Sequence, residues 1–259
     1  MIAAHHILDP NLASHIPPGN CALAVMTKVP RAGKVKTRLT PPLSREEAAA
    51  LNTCFLRDTT SAISAAARNG HAAGIAVYTP VGEEEAYRGI LPEEFQLVPQ
   101  RGDAFGERLI FASEDLFRLG FESVCLINSD SPTVPQRIFE QAARLLAQSG
   151  DRILLGPSDD GGYYLIGLKK PQRDIFHGID WSTAHVFSQT MQRAAGMGIS
   201  VELLPTWYDV DDCLTLRRLC EELFGEESDA SGGYDAPHTR SFLADLLHRE
   251  GRGRIWPNE

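Results

Sequence analysis

A strongly basic loop stands out in an acidic chain: the stretch KVPRAGKVKTRL at positions 28–39 carries five cations, whereas the net charge of the protein is −9. A glycine near its centre lets backbone N–H groups approach an anion. Lys and Arg side chains add charge and hydrogen-bond donors that suit phosphate. The pattern predicts a loop that binds nucleotide phosphates, and the binding residues we expect are Lys28, Gly33, Lys36, Thr37 and Arg38. The alternative is a solvated turn after a strand, because charge runs usually lie at the surface.

The basic loop is not a P-loop, although AGKVKT is superficially similar to one. No glycine precedes Gly33 by five residues, and Val35 follows Lys34 where a P-loop requires Ser or Thr. The pattern therefore excludes kinases and ATPases of that type.

Two carboxylates follow hydrophobic strands and are candidates for a metal site. Asp130 stands in INSDSP at the end of an apolar run, and Asp211 stands in YDVDD at positions 208–212. Mg²⁺ is commonly bound by one or two carboxylates together with phosphate oxygens. Asp209 shares a face with Asp211 if the chain is extended, whereas Asp212 is placed to cap a helix. Alternatively, Asp130 belongs to a turn before Pro132, and Asp209 is a capping or surface residue.

A glycine-rich acidic segment, GPSDDGGYYLIGL at 156–168, offers groups for catalysis. Asp159 or Asp160 would contact sugar hydroxyls or act as a general base. Gly161 and Gly162 would allow a substrate to approach closely, or would form a tight bend. An ordinary Asp-Gly turn explains the same residues equally well.

Two further segments supply single candidates. Arg108 in RGDAFGERL would hold phosphate or fix its loop, and Trp181 in DWSTAHVF would pack or stack against substrate. Ser182 is placed to cap the following helix, in which His185 is more typical of a structural residue than of a ligand. No Ser/His/Asp arrangement or GxSxG motif is present.

The elements that would position these residues alternate between apolar strands and amphipathic helices. We predict strands at 21–28, 73–79, 95–100, 123–130, 152–156, 163–168 and 199–205. Helices are predicted after Ser44, over 105–120, after Pro135, over 182–196, after Asp212 and over 241–250. This alternation indicates an α/β fold, a three-layer α/β/α sandwich with a mostly parallel sheet. We expect a flexible arm at 1–20 and a single domain at 21–259, with a loop and terminal helix at 225–259.

The composition limits the classes of partner that we expect. The sequence pI near 5.4 disfavours broad nucleic-acid binding, so the basic loop is expected to meet a small anion. No run of about eighteen apolar residues predicts a membrane span, and the N-terminus lacks the pattern of a signal peptide. The five cysteines form no C-x-x-C pair, which is typical of reduced thiols and favours a cytoplasmic protein without a zinc site.

Taken in order, the motifs resemble those of bacterial GT-A-like transferases in the nucleotide-diphospho-sugar transferase superfamily. This group includes the arsenosugar-biosynthesis and selenodomain-associated glycosyltransferases. The similarity extends from about residue 22 to the segment APHTRSFL, and it rests on KVPRAGKVKTRL, GDAFGERL, INSDSP, GPSDDGGYYLIGL, DWSTAHV and YDVDD. Phospholactate and molybdenum-cofactor guanylyltransferases are more distantly similar.

The resemblance implies a GT-A fold in which the first strand and its loop bind nucleotide phosphates. It also implies that Asp130 and Asp211 are the two metal-binding carboxylates. The chain departs from the family pattern in two places: Asp212 replaces the threonine of the more usual DVDT, and GDAFGERL carries one extra residue.

Three functions follow from these observations. The first is glycosyl transfer from a nucleotide-sugar to a small acceptor, with Mg²⁺ or Mn²⁺ neutralising the leaving nucleoside diphosphate. The second is nucleotidyl transfer from a nucleoside triphosphate to a phosphorylated metabolite, because five cations suit three phosphates better than two. The third is a non-catalytic nucleotide-binding protein on the same fold, against which the presence of both candidate metal ligands argues.

Overall fold

A seven-stranded sheet forms the centre of the protein. The computed structural model describes residues 5–12, 16–68, 71–225 and 232–256. The strands are β1 (Cys21–Lys28), β2 (Ala72–Thr79), β3 (Gln96–Pro99), β4 (Ser123–Ile127), β5 (Arg152–Pro157), β6 (Tyr163–Leu168) and β7 (Ser200–Leu203). Their order across the sheet is β3-β2-β1-β4-β6-β5-β7. Strand β6 runs antiparallel to β4 and β5, and the other pairs are parallel. The predicted α/β fold with a mostly parallel sheet is confirmed.

Strand β1 shows why the central strands could be found from sequence. Leu23 and Val25 pack on one face of the sheet and Ala22 and Ala24 on the other, and all four are fully buried. A parallel strand covered on both faces is apolar throughout rather than alternating. The apolar run therefore marked the strand.

Helices cover both faces of the sheet and build a third cluster beyond it. They are α1 (Arg45–Ala67), α2 (Phe105–Arg118), α3 (Gln136–Ala147), α4 (Val186–Gly196), α5 (Cys213–Phe224) and α6 (Pro237–Glu250). Helices α1 and α3 contribute to the core on one face, and α2 and α4 to the core on the other. The outer side of α1 packs with α5 and α6 in a separate apolar cluster. No helix within the described residues is long and apolar enough to cross a membrane.

Polar caps fix helix α1 and dock helix α6 onto it. The Ser44 hydroxyl accepts from the Glu47 amide at 3.1 Å, and the Glu47 carboxylate accepts from the Ser44 amide at 2.8 Å, which completes the predicted capping box. Asp58, a fully buried residue of α1, accepts from the amides of His238 and Thr239 at 3.1 and 2.8 Å. One carboxylate thus accepts hydrogen bonds from two amides in the first turn of another helix, which have no partner within that helix.

Helix α4 begins later than predicted. We expected it to start at Ser182, but Ser182 has a left-handed backbone with φ of 63°, and the helix starts at Val186. The cause is a tertiary contact, because the amide of Phe187 donates to the carbonyl of Gly161 at 2.8 Å and holds the preceding turn against that loop. His185 is exposed at the N-cap position rather than one turn inside the helix.

Part of the N-terminal stretch lies along the edge of the sheet. The amide of Leu8 donates to the carbonyl of Leu97 at 2.8 Å, and the amide of Leu97 donates to the carbonyl of His6 at 2.9 Å. Leu8 is buried. Residues 6–8 therefore pair in parallel with the free edge of β3. Residues 226–231 of the predicted C-terminal loop lie outside the described residues.

Candidate active site

Two adjoining cavities open beyond the carboxyl ends of β1 and β4. The first, which we call the basic cavity, has a volume of about 330 Å³, and the second, the acidic cavity, about 490 Å³. Arg38, Asp130 and Asp211 line both cavities and so mark the boundary between them. This is the edge of an α/β sheet at which ligands are usually bound.

Cations dominate the basic cavity. Its basic lining residues are Lys28, Lys34, Lys36, Arg38 and Arg108, and Asp130 and Asp211 are its acidic ones. Thr37 also lines it. Arg31 points elsewhere, because its guanidinium pairs with Glu83 at 2.8 Å. Gly33 is not among the lining residues, and its φ of 71° serves the turn of the loop.

Lys36 is the most deeply placed cation of the loop. Its backbone is left-handed, with φ of 48° and ψ of 38°, a conformation that is uncommon for a residue with a side chain. The ammonium lies 2.7 Å from Asp130 Oδ1 and 3.0 Å from Asp211 Oδ1, and it donates to the carbonyl of Val210 at 2.7 Å. Burial acts to lower the pKa of Lys36, but the two carboxylates outweigh it and the pKa is raised.

A backbone contact brings the two candidate metal ligands together. The amide of Val210 donates to the carbonyl of Asp130 at 2.8 Å, which joins the loop after β4 to the segment before α5. Asp212 caps α5, since its carboxylate accepts from the amide of Thr215 at 2.9 Å. Asp211 therefore lies between Val210, which is hydrogen-bonded to the loop after β4, and the capped start of α5. It also pairs with Arg38.

The two carboxylates fit a divalent metal that is completed by phosphate oxygens. About a third of each side chain is exposed, 33% for Asp130 and 32% for Asp211, so oxygens remain accessible from the cavities. Among the described residues, no group of three or more His, Cys, Asp or Glu side chains could hold a metal by itself. A two-carboxylate set is nevertheless characteristic of Mg²⁺, which keeps waters and takes substrate oxygens as its other ligands.

The acidic cavity has the opposite charge. Four aspartates line it, namely Asp130, Asp160, Asp209 and Asp211. Arg38 is the one Lys, Arg or His among its described lining residues, and Arg38 already pairs with Asp211. Aromatic rings also line this cavity: Trp181 meets Phe105 edge-on at a centroid distance of 5.2 Å and Tyr163 at 6.5 Å.

The two aspartates predicted to be catalytic are placed differently. Asp160 lines the acidic cavity, and its Oδ1 accepts from the amide of Gly162 at 2.8 Å. Asp159 is not among the lining residues, because it pairs with Arg218. The Arg218 guanidinium in turn lies 3.9 Å above the ring of Tyr208. Asp160, and not Asp159, is therefore accessible from the acidic cavity.

Asp209 is one of the four aspartates of the acidic cavity, and the sequence left open whether it joins Asp211 or is a capping or surface residue. The hydroxyl of Ser158 donates to Asp209 Oδ1 at 2.7 Å. Burial raises the pKa of Asp209 to about 6, and the charges of Asp160, Asp211 and Asp130 act in the same direction against the Ser158 hydrogen bond. Its alternation with Asp211 was visible in the sequence, but Ser158 carried no signal.

Glycine is required at two positions by close packing around the acidic cavity. Gly161 has φ of 91°, and a Cβ there would lie 2.3 Å from the carbonyl oxygen of Ala184. Gly162 lines the cavity, whereas Gly161 is not among its lining residues. At Gly106 a Cβ would lie 2.5 Å from Nε1 of Trp181, so this glycine lets α2 pack against the tryptophan.

Arg108 both lines the basic cavity and fixes its own loop. The guanidinium donates to the carbonyl of Gly102 at 3.3 Å and to that of Asp103 at 3.0 Å. These two hydrogen bonds fix the turn at Gly102 and Asp103 that precedes α2. Arg108 therefore fixes its own loop, and phosphate binding by its guanidinium stays a prediction.

Several polar residues of the basic cavity were not predicted from the sequence, among them Asn52, Thr79 and Gln100. Asn52 of α1 is only 6% exposed and lines the cavity, yet its carboxamide makes no hydrogen bond to another described residue. Thr79 ends β2 and Gln100 follows β3, so that both stand at the same sheet edge as the basic loop. Position after a strand could have indicated the last two, but nothing near Asn52 distinguishes it from an ordinary helix residue.

Comparisons with known proteins agree with this architecture. The family described as "Uncharacterized protein conserved in bacteria (DUF2064)" matches residues 62–183. A solved candidate nucleotide-diphospho-sugar transferase from Desulfovibrio desulfuricans G20 is 30% identical, with a TM-score of 0.76 over 90% of this chain and 98% of that one. No curated protein matches the sequence.

Two more distant structures share the fold alone. The CMP:2-keto-3-deoxy-manno-octonic acid synthetase complexed with CTP is 10% identical, with a TM-score of 0.50 over 88% of this chain and 100% of that one. The bifunctional IspDF from Campylobacter jejuni is 11% identical, also at 0.50, over 77% of this chain and 54% of that one. The protein belongs to the same family as the Desulfovibrio desulfuricans relative and is a transferase with the nucleotide-diphospho-sugar transferase fold.

Proposed function

We propose that the protein transfers a glycosyl group from a nucleotide-sugar to a small acceptor, with Mg²⁺ or Mn²⁺ held by Asp130 and Asp211. The observation that carries the proposal is the position of these carboxylates, side by side at the boundary between a basic and an acidic cavity. A nucleotide-sugar has an anionic and a neutral half joined at the bond that breaks. The 30% identical relative described as a candidate nucleotide-diphospho-sugar transferase supports the same donor class.

The basic cavity suits the nucleoside diphosphate. Lys28 and Lys34 line it and form no ion pair within the described residues, so their charges are available to phosphate oxygens. The Asn52 carboxamide, which makes no hydrogen bond to the described residues, offers neutral donors and acceptors for the nucleoside together with Thr79 and Gln100. Pockets of this kind bind by charge in one part and by a few placed polar groups in another.

The metal's contribution would be to neutralise the charge that develops on the leaving diphosphate. The protein's own residues would orient the reacting groups. Arg38 spans the two cavities and would lie beside the bond between diphosphate and sugar. Preorganised charges at such a position stabilise a transition state without further rearrangement.

The acidic cavity suits the sugar and the acceptor. Asp160 is oriented by the Gly162 amide and would accept a proton from the acceptor hydroxyl. Phe105 and Trp181 present aromatic surfaces on which the apolar face of a sugar ring can pack.

Nucleotidyl transfer is the second candidate, and one observation favours it. Five basic side chains line the basic cavity against two acidic ones, which suits a triphosphate as well as a diphosphate. Pyrophosphate, rather than a nucleoside diphosphate, would then leave. The same two carboxylates would hold the metal in both reactions.

The test separates donor binding from chemistry. Thermal unfolding is measured with nucleotide-sugars and nucleoside triphosphates, with and without Mg²⁺, because a ligand of the folded state raises the melting temperature. Turnover is then followed as release of nucleoside diphosphate or of pyrophosphate. We expect Mg²⁺-dependent stabilisation by a nucleotide-sugar, followed by release of nucleoside diphosphate.

The matched variants are Asp130→Asn and Asp211→Asn against Asp159→Asn. The first two remove candidate metal ligands, and the third removes a carboxylate outside both cavities. Turnover retained in Asp130→Asn would contradict the metal site. Pyrophosphate release in place of diphosphate release would establish the second candidate.

A further inference from the structure

We propose that the acceptor of this transferase is a non-anionic molecule that carries a hydroxyl or amino group beside an apolar face, and that phosphorylated and carboxylated acceptors are rejected. The inference rests on the proposed function, since a transferase of that kind has an acceptor. It concerns the class of molecule that the acidic cavity admits, which the proposed function left open.

The charge division between the two cavities is the first support. Four aspartates line the acidic cavity, and no basic side chain other than Arg38 lines it within the described part of the chain. Arg38 is committed to Asp211 and also faces the basic cavity. A phosphate in the acidic cavity would therefore meet carboxylates without a cation to pair with it.

Bound donor and metal do not reverse this charge. A cation between Asp130 and Asp211 would sit at the boundary, where the donor's own phosphates face it from the basic side. Asp160 and Asp209 lie on the other side, with Gly162 and Ser158 as their neutral hydrogen-bond donors. These two carboxylates remain uncompensated and face the acceptor.

The walls of the acidic cavity supply the second support. Apolar and aromatic side chains line most of the remainder, including Phe105, Leu109, Tyr163, Ile166 and Trp181. Phe105 is 52% exposed, so much of its ring is accessible to a ligand. Such a surface is covered favourably by the apolar face of a ligand.

Together these features describe one ligand class. Carboxylates accept hydrogen bonds from hydroxyl or ammonium groups, and the aromatic wall packs against carbon. An anionic group would be placed beside like charges in a partly desolvated site, where repulsion reduces affinity by roughly tenfold or more. The same repulsion acts against the phosphorylated metabolite required by nucleotidyl transfer.

The experiment uses two probes that differ in one phosphate. They are 4-nitrophenyl β-D-glucopyranoside and its 6-phosphate, titrated into the full chain with MgCl₂ by isothermal calorimetry. We expect the neutral probe to bind roughly tenfold or more tightly than the phosphorylated one. The ratio should decrease between about 50 mM and about 500 mM NaCl, because salt screens charge repulsion and leaves a steric difference unchanged.

A variant at the rim tests the electrostatic cause. Ser182 lines the acidic cavity, is exposed and already has a positive φ, so substitution there leaves the carboxylates in place. Ser182→Lys should reduce the preference for the neutral probe by about threefold or more, since it adds the missing cation. Ser182→Gln has similar length without charge and should preserve the preference. Thermal unfolding of both variants verifies that they fold.

The outcomes separate this inference from the proposed function. Equal or tighter binding of the 6-phosphate, or no binding of either probe, would overturn the inference even if a nucleotide-sugar released nucleoside diphosphate. A tenfold preference for the neutral probe, with no donor turned over, would support the inference and count against glycosyl transfer. An unchanged ratio in Ser182→Lys would show that charge is not the cause.

Discussion

Lys36 Nζ lies 2.7 Å from Asp130 Oδ1, so an ammonium group of the protein itself contacts a carboxylate that we propose as a metal ligand. The same nitrogen lies 3.0 Å from Asp211 Oδ1. The Lys36 side chain is 5% exposed, whereas about a third of each aspartate side chain is accessible. Lys36 therefore compensates the two negative charges, and it would compete with a metal for their oxygens.

Replacing this lysine should strengthen metal binding while weakening nucleotide binding. In Lys36→Met the carboxylates lose their internal cation, so we expect Mn²⁺ affinity without nucleotide to rise about tenfold. The free energy of unfolding in EDTA should fall by about 1–3 kcal/mol, since the carboxylates are only partly solvated. Mn²⁺ binding is measured by electron paramagnetic resonance, and stability by urea denaturation with EDTA or Mn²⁺.

Lys34→Met is the matched control for this change. Lys34 lines the same cavity and makes no ion pair within the described residues, so its loss should reduce nucleotide affinity and leave Mn²⁺ affinity unchanged. A fall in Mn²⁺ affinity in Lys36→Met would show that the lysine supports the metal site instead of competing for it.

The adjacent aspartates at 159 and 160 should differ in their effect on turnover. Asp160 lines the acidic cavity, and Asp159 pairs with Arg218 outside it. Asp160→Asn should lower kcat by about 100-fold, within the range for loss of a general base, and Asp159→Asn should leave kcat within about twofold. Release of nucleoside diphosphate at saturating donor gives both values. Comparable losses in the two variants would indicate that the loop, and not one carboxylate, matters.

Much of the fold was predictable because its central strands are buried on both faces. The apolar run at 21–28 coincides with β1 (Cys21–Lys28), and that at 163–168 coincides with β6 (Tyr163–Leu168). What composition could not predict is that β6 is inserted antiparallel between β4 and β5. Strand order depends on long-range packing, which a local apolar pattern does not encode.

The candidate site was predictable where residues follow a strand, and unpredictable where tertiary contacts decide. Asp130 and Asp211 stood out by position, and the Val210 amide joins their loops. The predicted start of α4 was wrong. Ser182 is a good capping residue by local sequence, but the contact of Phe187 with the Gly161 loop determines the backbone there. Asn52 looked like any polar helix residue, since its orientation toward the cavity depends on how α1 packs.

A side chain at Gly161 should destabilise the protein through a close backbone contact, and Gly178 is the control for backbone strain alone. Both Gly161 and Gly178 have positive φ, but a Cβ would lie 2.3 Å from the Ala184 oxygen at the first and meet nothing within 4 Å at the second. Gly178→Ala should cost about 1–2 kcal/mol of unfolding free energy from backbone strain alone. Gly161→Ala should cost about 1–3 kcal/mol more, because the Ala184 backbone must move. Urea denaturation measures both, and equal losses would refute the close contact.

Asp58 should couple the docking of helix α6 to pH. Its carboxylate accepts two amides of α6, so Asp58→Ala should lower the free energy of unfolding by about 1–3 kcal/mol. Burial raises the pKa of Asp58, and the hydrogen bonds from Thr239 and His238 only partly oppose it. The folded state therefore holds the proton more tightly than the unfolded chain, whose carboxyl titrates near pH 4.

The sign of the pH effect follows from that difference in proton binding. The stabilising contribution of protonated Asp58 is fully present below about pH 4 and is lost as pH rises through the raised pKa. Asp58→Asn keeps an acceptor oxygen but does not titrate, so its stability relative to the wild type should improve with rising pH. Urea denaturation of both proteins from about pH 4 to about pH 8 gives the comparison. Parallel profiles would show that Asp58 is equally charged in the folded and unfolded states, and that its burial does not determine its ionisation.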